Sequence, residues 1–160
     1  MFIEANDAEE AGGATVVGTD VEMDAQNETN YYIIDAGTTL NAGHYLAVFR
    51  LKDTNLVAGD AGLRVYNATL GEYRNEEGAY VNQLVTAAFL YYSIFFEITD
   101  ADVTAGDDIW VQVNKQTVNV NTLTSDYFLI IPIGDGMNFP QDLAHSALRG
   151  VTQHPRLCER

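Results

Sequence analysis

Short apolar segments separated by turn-forming residues run along most of the chain. Eight of them are ATVVG (14–18), NYYIID (30–35), HYLAVFRLK (44–52), GLRVYNATL (62–70), AYVNQLV (79–85), AFLYYSIFFEIT (88–99), DIWVQVNKQTV (108–118) and DYFLIIPI (126–133). The residues between them are mainly Gly, Asn, Asp, Ser and Thr, which are typical of turns. About eight short strands at this spacing predict an all-β fold, a single antiparallel sandwich of the jelly-roll type.

Apolar and polar positions alternate within several of these segments. In DIWVQV, the side chains of Ile109, Val111 and Val113 share one face, and Trp110 lies on the other. This period of two is the signal of a strand that is buried on one side. In HYLAVFRL both sets of alternating positions are rather apolar, which predicts a strand that is covered on both faces.

The length of the chain favours a single domain, residues 1–160. Its parts are an acidic N-terminal arm (1–13), a jelly-roll core (14–136) and an extended C-terminal arm (137–160). The piece PQDLAHSALRG predicts one short helix in the C-terminal arm, because it has proline near its start and glycine at its end. No earlier segment shows a long helical period with a cap.

Charge excludes several classes of function. Asp and Glu number 23 against eight Lys and Arg, and the net charge is −15. Such a surface repels phosphates, so we expect no nucleic-acid partner. The most apolar run, LVTAAFLYYSIFFEI, is shorter than a membrane-spanning helix, and the acidic first residues do not resemble a secretory signal, so we expect no membrane insertion. An acidic, lysine-poor chain with 47% hydrophobic residues suits a hypersaline environment, where salt screens self-repulsion.

The stretch VTAGDDIWVQV (103–113) has a counterpart in LNAGHYLAVF (40–49), which lacks the two acids. A pattern that occurs twice is architectural. We therefore interpret its Ala-Gly as a tight corner at the entrance of a strand, with the glycine at positive φ.

With the closing strand DYFLIIPI, these two corners resemble the jelly roll of the tumour-necrosis-factor and complement-globular-head superfamily, from about Gly43 to Ile133. The resemblance implies a homo-oligomer, with a trimer favoured and a pentamer as the alternative. Its subunits would pack around an aromatic seam, for which this chain offers Tyr91, Tyr92, Phe95, Phe96 and Trp110.

The C-terminal arm carries three of the eight basic residues, Arg149, Arg156 and Arg160. It is therefore less acidic than the rest of the chain. We predict that Arg149 and Arg156 dock on an acidic neighbouring subunit. The alternative is a solvated tail.

Four carboxylates near one corner are the best metal candidates, although the calcium-loop pattern fails, with Ala105 and Val111 at the positions of its Gly and Glu. An acidic solvated turn is the better interpretation, and we expect neither a metal nor a cofactor. The candidates are Asp100, Asp102, Asp107 and Asp108.

Nothing in the sequence indicates catalysis. The histidines His44, His145 and His154 are scattered, which disfavours a cupin-like metal enzyme. Cys158 is the single cysteine and excludes an internal disulfide. We predict a protein that is not an enzyme.

The main functional hypothesis is a structural virion protein of a haloarchaeal virus. It would act as a capsid decoration, vertex-turret or capsid subunit that contacts other capsid proteins. Its location would be the capsid surface after synthesis in the host cytoplasm. Two sequons, at Asn27 and Asn67, are candidate glycosylation sites.

The alternative is a carbohydrate- or host-receptor-binding sandwich with glycans as partners. Exposed Trp and Tyr rings would form its platform, either Trp110 with Tyr127, or Tyr31 with Tyr32. Exposure of these rings discriminates between the two hypotheses.

Overall fold

A computed structural model describes residues 1–54 and 57–133, and this part of the chain forms twelve strands and one short α-helix. In chain order the strands are β1 (Phe2–Glu4), β2 (Glu9–Ala11), β3 (Thr15–Val17), β4 (Asp20–Met23), β5 (Thr29–Asp35), β6 (Gly43–Asp53), β7 (Val57–Asn67), β8 (Glu72–Tyr73), β9 (Val81–Val85), β10 (Leu90–Ile98), β11 (Asp108–Lys115) and β12 (Leu123–Ile133). The helix α1 (Asp100–Ala105) precedes β11, and a 3-10 turn (Ala5–Asp7) follows β1. The predicted all-β class is confirmed.

The strands form two antiparallel sheets. Sheet A has the order β10-β6-β12-β4-β3, and β1 also pairs with β12. Sheet B has the order β2-β5-β11-β7-β8, and β9 also pairs with β7. Four short strands, β1, β2, β4 and β8, were not predicted from the sequence, because two to four residues are too few to show alternation.

The inward faces of both sheets meet in one hydrophobic core. Ile109, Val111 and Val113 are fully buried there, as their alternation predicts. On β6 the buried set includes Phe49, whose ring packs edge-on against Phe128 of β12 with centroids 5.5 Å apart. Each such apolar side chain contributes about 1.5–3 kcal/mol to folding.

The predicted N-terminal arm, residues 1–13, is part of the sandwich instead. Phe2–Glu4 pairs with β12 in sheet A, and Glu9–Ala11 pairs with β5 in sheet B. The N-terminal ammonium donates to the Ile130 carbonyl oxygen at 2.7 Å. These partners lie far away in sequence, so no local pattern indicates them. The predicted C-terminal arm, 137–160, lies outside the described residues.

The corner in VTAGDD contains a helix that the sequence analysis interpreted as a turn. Thr99 and Asp102 form a capping box, in which the Thr99 hydroxyl accepts from the Asp102 amide at 3.2 Å and the Asp102 carboxylate accepts from the Thr99 amide at 2.8 Å. The helix ends at Gly106 with φ of 68°, so the predicted positive φ is confirmed. Within the described ranges, no helix is long and apolar enough to cross a membrane.

Candidate functional site

The outer surface of sheet B carries a row of aromatic side chains, which we call the aromatic face. Pairing of β11 with its neighbours sets Trp110 beside Ile33 on one side and Tyr66 on the other. All of these positions alternate with core residues and point away from the core. The aromatic face consists of Tyr31, Trp110, Tyr66, Tyr73 and Tyr80.

The rings form a nearly continuous surface. Tyr31 stacks on Trp110 with centroids 4.6 Å apart and planes 26° apart. Tyr66 contacts Tyr73 edge-on at 5.4 Å, and Tyr73 contacts Tyr80 at 6.4 Å. Since Tyr31, Trp110, Tyr66 and Tyr73 occupy four adjacent strands, the row spans three strand spacings, about 14 Å. All five rings are partly exposed.

Trp110 has an additional feature. Its indole Nε1 is covered by neighbours and has no hydrogen-bond partner among the described residues. A buried donor without a partner costs about 1–3 kcal/mol. Proteins accept such local costs mainly at functional sites.

Arg64 lies on the aromatic face among the tyrosines. Its guanidinium carbon is 4.3 Å from the Tyr66 ring centroid and 4.6 Å from that of Tyr80. Its Nε donates to the Gln112 side-chain oxygen at 2.7 Å. Burial raises the pKa of the Tyr80 phenol, although the Arg64 charge opposes the shift, so this hydroxyl is a donor at neutral pH.

Amide side chains adjoin the aromatic row. Gln112 and Asn114 alternate with core residues on β11, and the Gln116 amide donates to the Asn114 side-chain oxygen. Gly62 makes room for this arrangement, because a Cβ there would lie 2.6 Å from the Gln116 side-chain nitrogen. Gln112 and Asn114 are only 4% and 5% exposed, so the partly exposed Gln116 is the amide that can exchange hydrogen bonds with a ligand lying on the rings.

The outer surface of sheet A, which we call the opposite face, is also aromatic. Phe2 and Tyr91 are 57% and 63% exposed, and the Phe2 ring centroid is 4.8 Å from that of Tyr127. The Tyr127 and Tyr91 hydroxyls are 3.1 Å apart. Arg50 pairs with Asp126 beside these rings.

The residues predicted as one aromatic seam lie in three separate places. Tyr91 and Phe95 are on the opposite face, and Trp110 is on the aromatic face. Phe96 is only 1% exposed in the core, and Tyr92 packs against the core. The chain therefore does not bring these five together, because alternation along β10 sends neighbouring residues to opposite sides. Arg149 and Arg156 lie outside the described residues.

The predicted sugar platforms are rearranged in a similar way. Trp110 stacks on Tyr31, whereas Tyr127 lies on the opposite face and Tyr32 points toward the core. Sequence reasoning missed Arg64, Tyr66, Tyr73 and Tyr80. Alternation in GLRVYN was the available signal, since it sets Arg64 and Tyr66 on the face away from Leu63 and Val65.

The four predicted metal candidates do not converge. Asp100 and Asp108 are exposed, at the start of α1 and at one end of the aromatic face. Asp102 and Asp107 are buried, and both accept from the Asn67 side-chain nitrogen, at 2.7 and 2.8 Å. In the described part of the chain, no group of three or more His, Cys, Asp or Glu side chains is placed to hold a metal ion.

Asp102 connects α1 to sheet B. Its side chain is fully buried and accepts from the Arg74 guanidinium at 2.6 Å. Burial raises the pKa of this carboxyl, but hydrogen bonds from Arg74, Thr99 and Asn67 outweigh burial and lower the pKa to about 2. Asp102 therefore has a structural role as a buried anion.

A second buried ionic cluster contains Lys115. Its ammonium contacts Asp60 at 3.3 Å and the Asn121 carbonyl oxygen at 2.7 Å, and Asn121 donates to Asp53 at 2.5 Å. Burial raises the pKa of Asp60, but hydrogen bonds from Asp53, Thr117 and Asn121 and the Lys115 charge lower it overall. Asp60 is therefore a buried anion opposite the Lys115 ammonium.

The two sequons differ in accessibility. Asn67 is 0% exposed, and its side-chain nitrogen is engaged by two carboxylates, so the folded protein does not present it for glycosylation. Asn27 is exposed in the turn before β5, with φ of 71°.

His44 is exposed on β6 and lines a cleft of about 270 Å³ with Arg74 and Glu76. His145 and His154 lie outside the described residues.

Several solved structures share this fold. It is a jelly roll like that of carbohydrate-binding modules. The CBM36-1 domain of a multidomain xylanase from the hindgut metagenome of Trinervitermes trinervoides has a TM-score of 0.59 and 12% identity, covering 84% of this chain and 98% of that one. A family 35 carbohydrate-binding module from Clostridium thermocellum has a TM-score of 0.59 and 12% identity, covering 83% and 98%. The module CBM36 in complex with calcium and xylotriose has a TM-score of 0.56 and 12% identity, covering 82% and 99%. No protein-family model and no curated protein matches the sequence.

One of these structures contains calcium, and the buried carboxylates of this chain are the groups that could offer oxygen ligands to such a cation. Asp60 already faces the Lys115 ammonium, Asp53 accepts from the Asn121 amide of the same cluster, and Asp102 faces the Arg74 guanidinium. These cationic side chains compensate the buried acids. Among the described residues, the donor set therefore does not fit a calcium ion.

Proposed function

We propose that the protein is a non-catalytic glycan-binding module whose aromatic face holds an extended sugar chain. The observation that carries this proposal is the Tyr31–Trp110 stack within a row of five rings, flanked by amide side chains. The structural neighbours are carbohydrate-binding modules, which supports the same class of ligand. The virion role predicted from charge remains a prediction without support from these neighbours.

A glycan would cross the strands along the row of rings. Apolar C–H faces of successive sugars would pack on the rings, and hydroxyls would exchange hydrogen bonds with the partly exposed Gln116 and with the phenol groups of the tyrosines. The partly exposed rings are fixed by β-strands, so little side-chain entropy is lost on binding. This geometry favours a linear chain over a single sugar.

Replacing Trp110 with alanine is expected to weaken glycan binding at least about 30-fold, because a central aromatic anchor is lost. Affinity electrophoresis against xylan, mannan and mixed-linkage glucan would identify a ligand and measure this effect. Trp110→Phe, which retains a ring, controls for folding. Tyr91→Ala removes an exposed ring from the opposite face and is expected to leave affinity unchanged. Equal losses in Tyr91→Ala and Trp110→Ala would contradict the assignment of the site.

The opposite face favours a second candidate function, self-association with another copy of the chain. Its centre is uncharged, with Leu46, Val48, Leu129 and the 38% exposed Ile131. Arg50 and Lys52 offset neighbouring acids at one end. Two strongly acidic chains would approach most readily through this neutral surface, and salt would favour the contact.

Sedimentation in 0.15 and 2 M NaCl tests this candidate. We expect an oligomer that is more stable at the higher salt and that Tyr91→Lys converts to monomer. A matched change on the aromatic face, Tyr73→Lys, is expected to leave the oligomer intact. A monomer in both buffers would refute self-association.

A further inference from the structure

We propose that the aromatic face recognises an acidic glycan, with the Arg64 guanidinium binding a carboxylate or sulfate group on the sugar chain. This inference rests on the proposed function and specifies the chemistry of its ligand. It follows from the surroundings of Arg64 and from the distribution of charge on sheet B.

Arg64 differs from the other arginines of the described residues. Arg50 pairs with Asp126, and Arg74 pairs with Asp102 and Glu72. Arg64 has no carboxylate partner in the part of the chain that the structure describes, although the chain has 23 acidic residues.

Neutral groups hold this guanidinium in place. Tyr66 and Tyr80 lie 4.3 and 4.6 Å from its central carbon, and Gln112 accepts from its Nε at 2.7 Å. Its two terminal NH₂ groups make no hydrogen bond to any described residue. A planar, pre-positioned fork of donors is suited to bidentate binding of carboxylate and sulfate oxygens.

The acids that β2, β5 and β11 place on the aromatic face are distant from this fork. Asp108 of β11 is paired with Asp35, and Gln112 of β11 is paired with Arg64. The two positions on β11 are four residues apart, which corresponds to a separation of about 13 Å. Glu9 pairs with Tyr31 three strands away, about 14 Å. Both separations exceed the Debye length of about 8 Å at 0.15 M salt. An anion at Arg64 therefore meets none of these carboxylates within a Debye length.

The test compares pairs of polymers with the same backbone, one charged and one neutral. Isothermal titration calorimetry in 0.5 M NaCl would use polygalacturonate against fully methyl-esterified galacturonan, and dextran sulfate against dextran. The first pair tests a carboxylate source and the second a sulfate source. At this salt the Debye length is about 4 Å, which screens general repulsion but retains contact pairs.

We expect one charged polymer to bind at least about tenfold tighter than its neutral partner, as for a charge-assisted bidentate contact. Arg64→Gln should abolish that difference, and Arg64→Lys should retain only part of it. Arg50→Gln, on the opposite face, is the matched control and should leave the difference intact. Thermal melting of each variant verifies folding.

The outcomes separate the two proposals. Equal affinity for charged and neutral polymers, or discrimination that persists in Arg64→Gln, would overturn the acidic-glycan inference and leave glycan binding in place. Absence of binding to these polymers and to xylan, mannan and glucan would overturn both.

Discussion

Replacing Lys115 with methionine is expected to lower the free energy of unfolding by about 3–5 kcal/mol, the cost of breaking a buried ion pair. Lys115 and Asp60 are both 0% exposed, so the variant leaves a buried carboxylate without its cation. Guanidinium denaturation would measure the change. The control is Lys52→Met. Lys52 is the other lysine of the chain and lies on the outer surface of sheet A, so we expect the free energy of unfolding to change by less than about 1 kcal/mol.

A double variant tests the cause of this loss. Lys115→Met combined with Asp60→Asn removes both charges, so it should be more stable than Lys115→Met alone. If the free energy of unfolding of Lys115→Met lies within about 1 kcal/mol of that of the unaltered protein, the Lys115–Asp60 ion pair does not stabilise the fold.

Replacing Asp102 with asparagine is also expected to destabilise the fold by about 3–5 kcal/mol. The carboxylate accepts from Arg74, Thr99 and Asn67, whereas an asparagine amide would direct N–H groups at some of these donors. The loss would weaken the attachment of α1 to Asn67 of β7 and to Arg74.

The effect of Asp102 depends on pH in a defined direction. The folded pKa of about 2 lies below the ordinary value of 3.8, so the carboxylate stabilises the fold fully above about pH 5 and loses this effect as pH falls toward 2. A shift of this size corresponds to about 2.5 kcal/mol. The stability gap between the unaltered protein and Asp102→Asn should therefore narrow by about 2 kcal/mol between pH 6 and pH 2, where the folded carboxyl is half protonated, as measured by urea denaturation. A gap that is constant over this range would refute the role of the ionised carboxylate.

Much of the fold follows from local sequence patterns. The alternation of Ile109, Val111 and Val113 predicts β11 and its buried side. The strand β6 was also predicted, but as covered on both faces, whereas Leu46 and Val48 are only half-buried on the opposite face. The strands β1 and β2 escape prediction because their stability comes from pairing with distant strands rather than from their own three residues. The helix α1 could have been predicted from its Thr99–Asp102 capping box, but this segment was interpreted as a turn.

The candidate site was predictable only in part. Sequence reasoning identified Trp110 and Tyr31 as platform residues but assigned them to different pairs. Their stacking depends on the register between β5 and β11, which alternation alone does not define. Arg64 was missed because its significance lies in the absence of a nearby carboxylate partner, which only the tertiary structure reveals.

The most direct test of the central claim uses the intrinsic fluorescence of Trp110. The chain contains one tryptophan, so its emission reports on the aromatic face alone. On titration with a glycan that binds in electrophoresis, we expect a saturable change in emission and protection from acrylamide quenching, with the same midpoint as binding. Glycan binding that leaves both the emission and the quenching of Trp110 unchanged would contradict the account.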